Sequence, residues 1–440
     1  FEHLTNNVQF AMSKWSGRLS WLQQRPYLLF LPFLFLYSTI VIVFAKDELT
    51  VDEPSYLAFA RNLLHGYYSP PPPDIDLWHA PGYPIIIAPL VGMGAPLLVI
   101  RLLNAVLLYC SILLFYRLLK NMVAEKWALI ASVIAGCYWL AWKGLPVIMT
   151  ETFVFFLVTA SCYMAWKCFR ESRLITRNGI LLSLLLAWLA LTRFMFGYVL
   201  PAAGLVYLLW WIIRRKWVYK KAAVVLGMAL LFTVPYLAYT WSLTGRIFYW
   251  GNAGGSSLYW MSNPAEGEYG DWFNENLELN ESLDGNFPGA RQLLEANHRA
   301  VINESLQYTG VAKDDFFKRK ALEQIQQHPV KFFNNWLANI GRLVFNYPYS
   351  YRRQGLATYL NMVPHMFLVV LSLLLLPVTV MMWKQIPFFM KFLLLVAGIY
   401  FAGSTLLSAT IRMFYILFPV WGTWIVYAGM HTIRVRLSKD

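Results

Sequence analysis

Residues 27–56 read Tyr27-Leu-Leu-Phe-Leu-Pro-Phe-Leu-Phe-Leu-Tyr-Ser-Thr-Ile-Val-Ile-Val-Phe-Ala45, then Lys46-Asp-Glu-Leu-Thr50-Val51-Asp52-Glu53-Pro54-Ser55-Tyr56. The first nineteen residues form one apolar run, long enough as a helix to cross a bilayer core of about 30 Å. Where the run ends, two adjacent carboxylates follow. Charge beside hydrocarbon is costly, so acids at a membrane boundary point to function more than to anchoring. Placed at the water–lipid interface, they suit a transferase whose substrate is a sugar carried on a lipid.

The rest of the chain extends this reading. Of 440 residues, 58% are hydrophobic and 14% charged, with a mean hydropathy of +0.47. That composition excludes an ordinary soluble domain and indicates an all-α polytopic membrane protein. Apolar runs of about 20 residues predict ten spans, at 27–45, 97–119, 127–144, 147–166, 179–193, 195–213, 222–243, 359–383, 388–408 and 411–430. The net charge of +14 does not signal nucleic acid, because the cations sit in short loops between apolar runs. Lys14, Arg18, Arg25, Lys120, Lys126, Lys167, Arg214, Lys216, Lys384, Arg434, Arg436 and Lys439 mark one side, assigned to the cytoplasm together with both termini. Eighteen of the 23 acidic residues fall on the opposite side, in residues 46–96 and 244–358. No cleavable signal peptide is evident, and the first run is predicted to be retained. The four cysteines lie in or beside apolar runs, so no structural disulfide is expected.

The expected organisation is an N-terminal membrane module (1–243) with a catalytic first outer loop (46–96), a small extracytoplasmic domain (244–358), and a C-terminal membrane module (359–440). Within the first loop, Pro54 suits a helix start and Gly66 a stop, and Tyr56, Phe59, Ala60, Leu63 and Leu64 recur at helical spacing. This predicts an amphipathic helix over 53–65, lying on the outer leaflet. A second short helix is expected after Pro84. In the second segment, Asp314 is expected to open a helix and His328-Pro329 to break it.

The candidate catalytic residues are Asp52, Glu53 and Glu151. An ionised carboxylate can remove the proton of an attacking hydroxyl; a plain helix cap is the alternative for the first two and for Glu151, which Thr150 precedes. Arg101, Arg193, Arg246 and Arg412 fall at the outer face against the charge rule, and guanidinium binds phosphate in a fork. The alternative for Arg101 and Arg412 is a structural pair with an acid such as Glu151, and for Arg246 a solvated loop residue. Tyr56, His79 and Tyr83, around Pro81-Gly82-Tyr83-Pro84, are candidates for shaping a substrate pocket. The many Trp and Tyr residues read first as membrane-interface anchors; Trp78, Trp250, Trp260 and Trp272 are the outer-face candidates for stacking on sugar. No cofactor is required by these residues; the acids at 52, 53 and 151 have the chemistry to share a divalent metal. Asn280-Glu281-Ser282 and Asn303-Glu304-Ser305 match a glycosylation sequon.

Asp52-Glu53-x-x-Tyr56, Ala60, Gly66 and Pro81-Gly82-Tyr83-Pro84 resemble the first outer loop of the dolichyl-phosphate-mannose protein mannosyltransferases, and most of all the bacterial branch with the lipid A aminoarabinose transferases. Ile100-Arg101-Leu102-Leu103-Asn104-Ala105, Thr150-Glu151-Thr152, Leu191-Thr192-Arg193, the Gly245-Arg246 to Gly254-Gly255 segment with Asn263-Pro264, and Arg412 with Pro419 match in order. The resemblance implies a membrane glycosyltransferase of the GT-C class, an undecaprenyl- or dolichyl-phosphate sugar donor, and inversion at the anomeric carbon. It implies Asp52 as base, Glu151 as the second acid and Arg101 as a contact to the donor phosphate. The acceptor, a hydroxyl or phosphate of a lipid, glycan or protein, stays open, and a bacterial inner-membrane location with the site facing the periplasm is expected. The aminoarabinose transferases carry a Lys-Pro-Pro-type motif where this chain has His79-Ala80-Pro81-Gly82, which leaves the donor sugar open. A transporter or flippase of lipid-linked sugars is the rival reading, though no internal repeat supports it.

Overall fold

A computed structural model describes residues 25–50, 52–277, 283–284, 287–353 and 355–432. Lys14, Arg18, Arg434, Arg436, Lys439 and the Asn280-Glu281-Ser282 sequon lie outside the described residues. Every regular element among the described residues is helical. The helices of eight or more residues are α1 (Leu31–Phe44), α2 (Glu53–Leu64), α3 (Gly82–Gly92), α4 (Leu97–Lys120), α5 (Glu125–Gly136), α6 (Thr150–Cys168), α7 (Arg177–Thr192), α8 (Phe194–Arg214), α9 (Trp217–Thr244), α10 (Gly254–Met261), α11 (Ala290–Ser305), α12 (Gly310–Gln327), α13 (Pro329–Phe345), α14 (Leu356–Met381), α15 (Phe388–Thr405) and α16 (Phe418–Thr432).

Five helices are long and apolar enough to cross a membrane: α4, α8, α9, α14 over Thr358–Met381, and α15. The chain is an integral membrane protein. The apolar run at 127–144 does not form one long helix: it divides into α5 and a single turn, Trp139–Trp142. The run at 411–430 divides likewise, into the turn Arg412–Tyr415 and α16.

α6 lies at the centre and packs against α4, α7, α15 and α16. Small and apolar residues such as Val154, Val158, Cys162 and Ala165 are buried along it, so its neighbours approach closely. α2 and α3 stand at one end of this bundle, packed on each other. Pro54 sits in the first turn of α2, and Gly66, at φ +85°, takes the left-handed conformation just past its end. At the start of α3 a Cβ on Gly82 would lie 2.4 Å from Thr192 Oγ1 and 2.7 Å from the Leu191 carbonyl oxygen. Only glycine lets this turn reach the end of α7, where Trp188 Nε1 donates to the Gly82 carbonyl at 3.0 Å.

Residues from Tyr259 to Tyr351 build a second apolar cluster, with Trp260, Phe273, Leu294 and Phe316 buried in it. α12 begins at Gly310, earlier than Asp314, with Thr309 preceding it. His328 separates it from α13, which Pro329 opens.

α13 is built with its polar side inward. Asn335, Asn339 and Arg342 are buried, whereas Val330, Phe333 and Leu337 are exposed. Arg342 Nε donates to the Ala409 carbonyl at 3.0 Å, Nη1 to those of Tyr269 (3.1 Å) and Pro348 (3.2 Å), and Nη2 to Gly270 O (3.0 Å) and Asn339 Oδ1 (2.8 Å). Asn339 Nδ2 donates to the carbonyls of Thr405 (2.8 Å) and Leu407 (2.7 Å). The 405–409 strand of chain leading to Arg412 is therefore pinned to α13. An apolar face turned outward beside α14 and α15 is the arrangement of a helix lying against lipid.

Candidate active site

The sequence neighbours Asp52 and Glu53 have opposite fates. Glu53 is fully buried. Its Oε1 accepts from Arg101 Nε (3.1 Å), Arg101 Nη2 (3.0 Å) and the Ile148 amide (2.8 Å). Its Oε2 accepts from the Thr50 amide (2.8 Å) and hydroxyl (3.1 Å). Arg101, only 3% exposed, spends its Nη1 on the Lys46 carbonyl. Together they tie α2 to α4 and to the chain before α6.

Asp52 holds the N-cap position of α2 but makes no side-chain cap bond. It is 29% exposed, and its Oδ2 lies 3.7 Å from Arg412 Nη1. The same guanidinium nitrogen is 3.5 Å from Glu151 Oε1, which also accepts from Arg193 Nη2 at 2.5 Å. Two acids and two cations thus meet at one end of the bundle. They come from the start of α2, the start of α6, the α7–α8 junction and the turn before α16. Arg193 Nε and Arg412 Nε are buried and meet no hydrogen-bond partner among the described residues. Unsatisfied polar groups are expensive to bury, which singles these guanidinium groups out as candidates for binding an anion.

Aromatic rings floor the cluster. The His79 ring lies 4.5 Å from that of Tyr56, and Tyr56 meets Tyr83 edge-on at 5.5 Å. Burial pushes the His79 pKa below its usual value, with Asp52 and Asp76 opposing the shift and Arg193 and Arg412 adding to it. Burial, reinforced by the Glu151 charge, pushes the Tyr56 hydroxyl up, so it stays protonated. Tyr83 is fully buried, with its hydroxyl beside Asn104.

Beside Arg193 opens a cavity of about 240 Å³, lined by Phe194, Tyr198, Trp250, Tyr400, Ser408 and Met413 among others. Trp250 Nε1 and Ser408 Oγ, on two of its lining residues, are buried without a hydrogen-bond partner among the described residues. Arg246 stands apart from this centre, in a two-toothed pair with Asp315 that includes an Nη1–Oδ1 bond of 2.8 Å. Asp52, Glu53 and Glu151 do not converge on one point: among the described residues no three His, Cys, Asp or Glu side chains come close enough to hold a metal ion. Of the stacking candidates, Trp250 and Trp260 are buried, Trp78 is half-buried and Trp272 is exposed. Ser408 was not legible in the sequence, since a serine in an apolar stretch carries no signal of its own.

No family model matches the sequence, and no curated protein does. Among solved structures, the chain is similar to the crystal structure of ArnT from Cupriavidus metallidurans bound to undecaprenyl phosphate. The likeness covers 89% of this chain and 77% of that one, at 12% identity and a TM-score of 0.41. That level is too low to carry a role across, so the reading that follows rests on the side chains described above.

Proposed function

We propose that this protein is an integral membrane glycosyltransferase that moves a sugar from a polyprenyl phosphate to an acceptor hydroxyl, with inversion. The observation that carries the reading is a part-exposed carboxylate, Asp52, beside Arg412, which shares Glu151 with Arg193. The acceptor oxygen attacks the anomeric carbon and its proton passes to Asp52. The bond from that carbon to the phosphate oxygen breaks, and polyprenyl phosphate leaves. Arg193 and Arg412 stabilise the charge that grows on the departing phosphate. The cavity beside Arg193 receives the part of the donor next to the phosphate. Glu151 holds the two guanidinium groups together, while Glu53 and Arg101 position the loop. His79, Tyr56 and Tyr83 form the wall behind the reacting sugar.

In this reading about ten helices span a bacterial inner membrane, with both termini in the cytoplasm. The site faces the periplasm, residues 244–358 form the periplasmic domain, and the acceptor is a lipid, glycan or protein. The test is turnover of synthetic polyprenyl-phosphate sugars in nanodiscs, followed by mass spectrometry of the lipid and acceptor pools. Asp52→Asn is expected to lower kcat by about 10²–10⁴-fold, the usual contribution of a general base, while leaving donor binding intact. Saturable donor binding with no turnover of any donor by the wild type would instead favour a carrier of lipid-linked sugars.

A further inference from the structure

Two apolar runs of this chain do not form unbroken helices, and their breaks meet. The first break, between α5 and the turn Trp139–Trp142, carries Tyr138. The second, between α15 and α16, carries the turn Arg412–Tyr415. The Tyr138 ring stacks on Phe418 at 4.5 Å and meets Tyr415 edge-on at 6.5 Å. Further along the first break, a Cβ on Gly144 would lie 2.9 Å from Thr152 Oγ1, 3.6 Å from the Tyr415 hydroxyl and 3.7 Å from Glu151 Cβ. The turn that bears Arg412 thus packs on the segment that leads into Glu151.

A polar bond lies at this meeting point, among apolar side chains. His365, on α14, is fully buried. Its Nδ1 lies 2.6 Å from the Val344 carbonyl oxygen, near the end of α13, and its Nε2 is bonded to the Tyr138 hydroxyl. A carbonyl only accepts, so Nδ1 carries the hydrogen of the neutral imidazole. Nε2 is then the acceptor, and Tyr138 donates. Both ring nitrogens are engaged, which fixes the ring in one tautomer and one orientation. The His365 ring meets Phe414 edge-on at 4.9 Å. The two partners of the bond therefore pack against the two buried residues of the turn, His365 against Phe414 and Tyr138 against Tyr415.

Apolar side chains of similar size would fill this space without burying a hydroxyl and an imidazole. A directional bond adds what such packing supplies less well, one geometry among several of similar energy. The residue whose geometry it governs is Arg412. On one side of it, Asn339 and Arg342 hold the 405–409 backbone. On the other, the Tyr138–His365 pair holds Phe414 and Tyr415. The guanidinium between these two anchors lies 3.5 Å from Glu151 and 3.7 Å from Asp52.

We propose that Tyr138 and His365 are positioning residues for Arg412, and that their hydrogen bond sets the turn so that the guanidinium is placed to take a phosphate. The proposal rests on the transferase reading above, and the experiment separates the two. Polyprenyl phosphate binding and donor turnover are measured in nanodiscs for the wild type, Tyr138→Phe, His365→Asn and the double variant, each with Arg412 intact and in an Arg412→Gln background. Tyr138→Phe keeps the ring and removes only the hydroxyl. His365→Asn keeps an amide donor for Val344 and is too short to reach Tyr138, so both variants remove the same bond. Melting curves check that each folds. The expected result is polyprenyl phosphate binding about tenfold weaker in each single variant, no weaker in the double variant, and no further loss where Arg412 is already replaced. Unchanged affinity in either folded variant overturns the proposal. Equal losses with and without Arg412 mark a general structural role and overturn it as well. Donor turnover by the wild type together with either of these results leaves the transferase standing without the positioning pair. The expected pattern of binding with no turnover of any donor by the wild type removes the transferase and leaves the positioning pair. A wild type that does not bind polyprenyl phosphate removes both.

Discussion

Asp52 and Glu53 are neighbours in sequence, yet one is part-exposed beside Arg412 and the other is sealed by five hydrogen bonds. Removing one partner of a buried ion pair leaves an uncompensated charge and costs about 3–5 kcal/mol. Glu53→Gln is therefore expected to lower the melting temperature and yield, with the folded fraction still able to bind donor. Asp52→Asn is expected to fold normally and lose turnover. Thermal melts of both variants beside their activities check this, and a Glu53→Gln protein as stable as wild type but inactive would reverse the two roles. The sequence made both acids visible but could not rank them, because their difference depends on Arg101 and Ile148, each some fifty to a hundred residues away.

At the scale of elements, helix starts were legible wherever a proline or a cap marked them. α2 and α13 are examples, opening at Glu53-Pro54 and at Pro329. α12 was placed too late because Gly310 argues against a helix on propensity, while its packing against the 73–75 backbone favours one there. Nor did periodicity reveal that α13 turns its polar side inward. The same holds for the network that joins α11 to the loop after α10. There Glu268 Oε2 accepts from His298 Nε2 at 2.9 Å, and Oε1 accepts from Asn297 at 2.7 Å and Tyr351 at 2.8 Å. Burial acts to raise the Glu268 carboxyl, and these partners outweigh it, so its pKa lies below the ordinary 4.5. A depressed carboxyl stabilises the fold above its unfolded pKa and loses that contribution as pH falls through the folded value. Melting temperatures are thus expected to decline from about pH 4.5 downward, and Glu268→Gln is expected to flatten this acid limb while lowering stability at neutral pH. An unchanged acid limb in the variant would remove Glu268 as its source.

On the scale of the whole molecule, composition and apolar runs made the membrane class legible, and the two long polar segments stood out by length and acidity. What no run or motif could show was that Arg412 returns to Asp52 across some 360 residues, or that the loop at 75–77 docks on Asn252. Those are products of tertiary packing between segments far apart in the chain. The looseness of Arg412 has a consequence for the order of events. At 3.5 and 3.7 Å it is shared by Glu151 and Asp52 and held closely by neither. A phosphate that takes over this guanidinium leaves Asp52 uncompensated and ready for a proton, so donor and acceptor should bind with positive cooperativity, the donor first. Linkage makes that coupling reciprocal. The acceptor should bind more tightly when polyprenyl phosphate is present, and Arg412→Gln should abolish the difference; equal acceptor affinity with and without the lipid would show that the two substrates arrive independently. On the proposed transferase reading, Asp52 would stay engaged until a lipid is aboard, a kinetic safeguard against binding an acceptor that has nothing to receive.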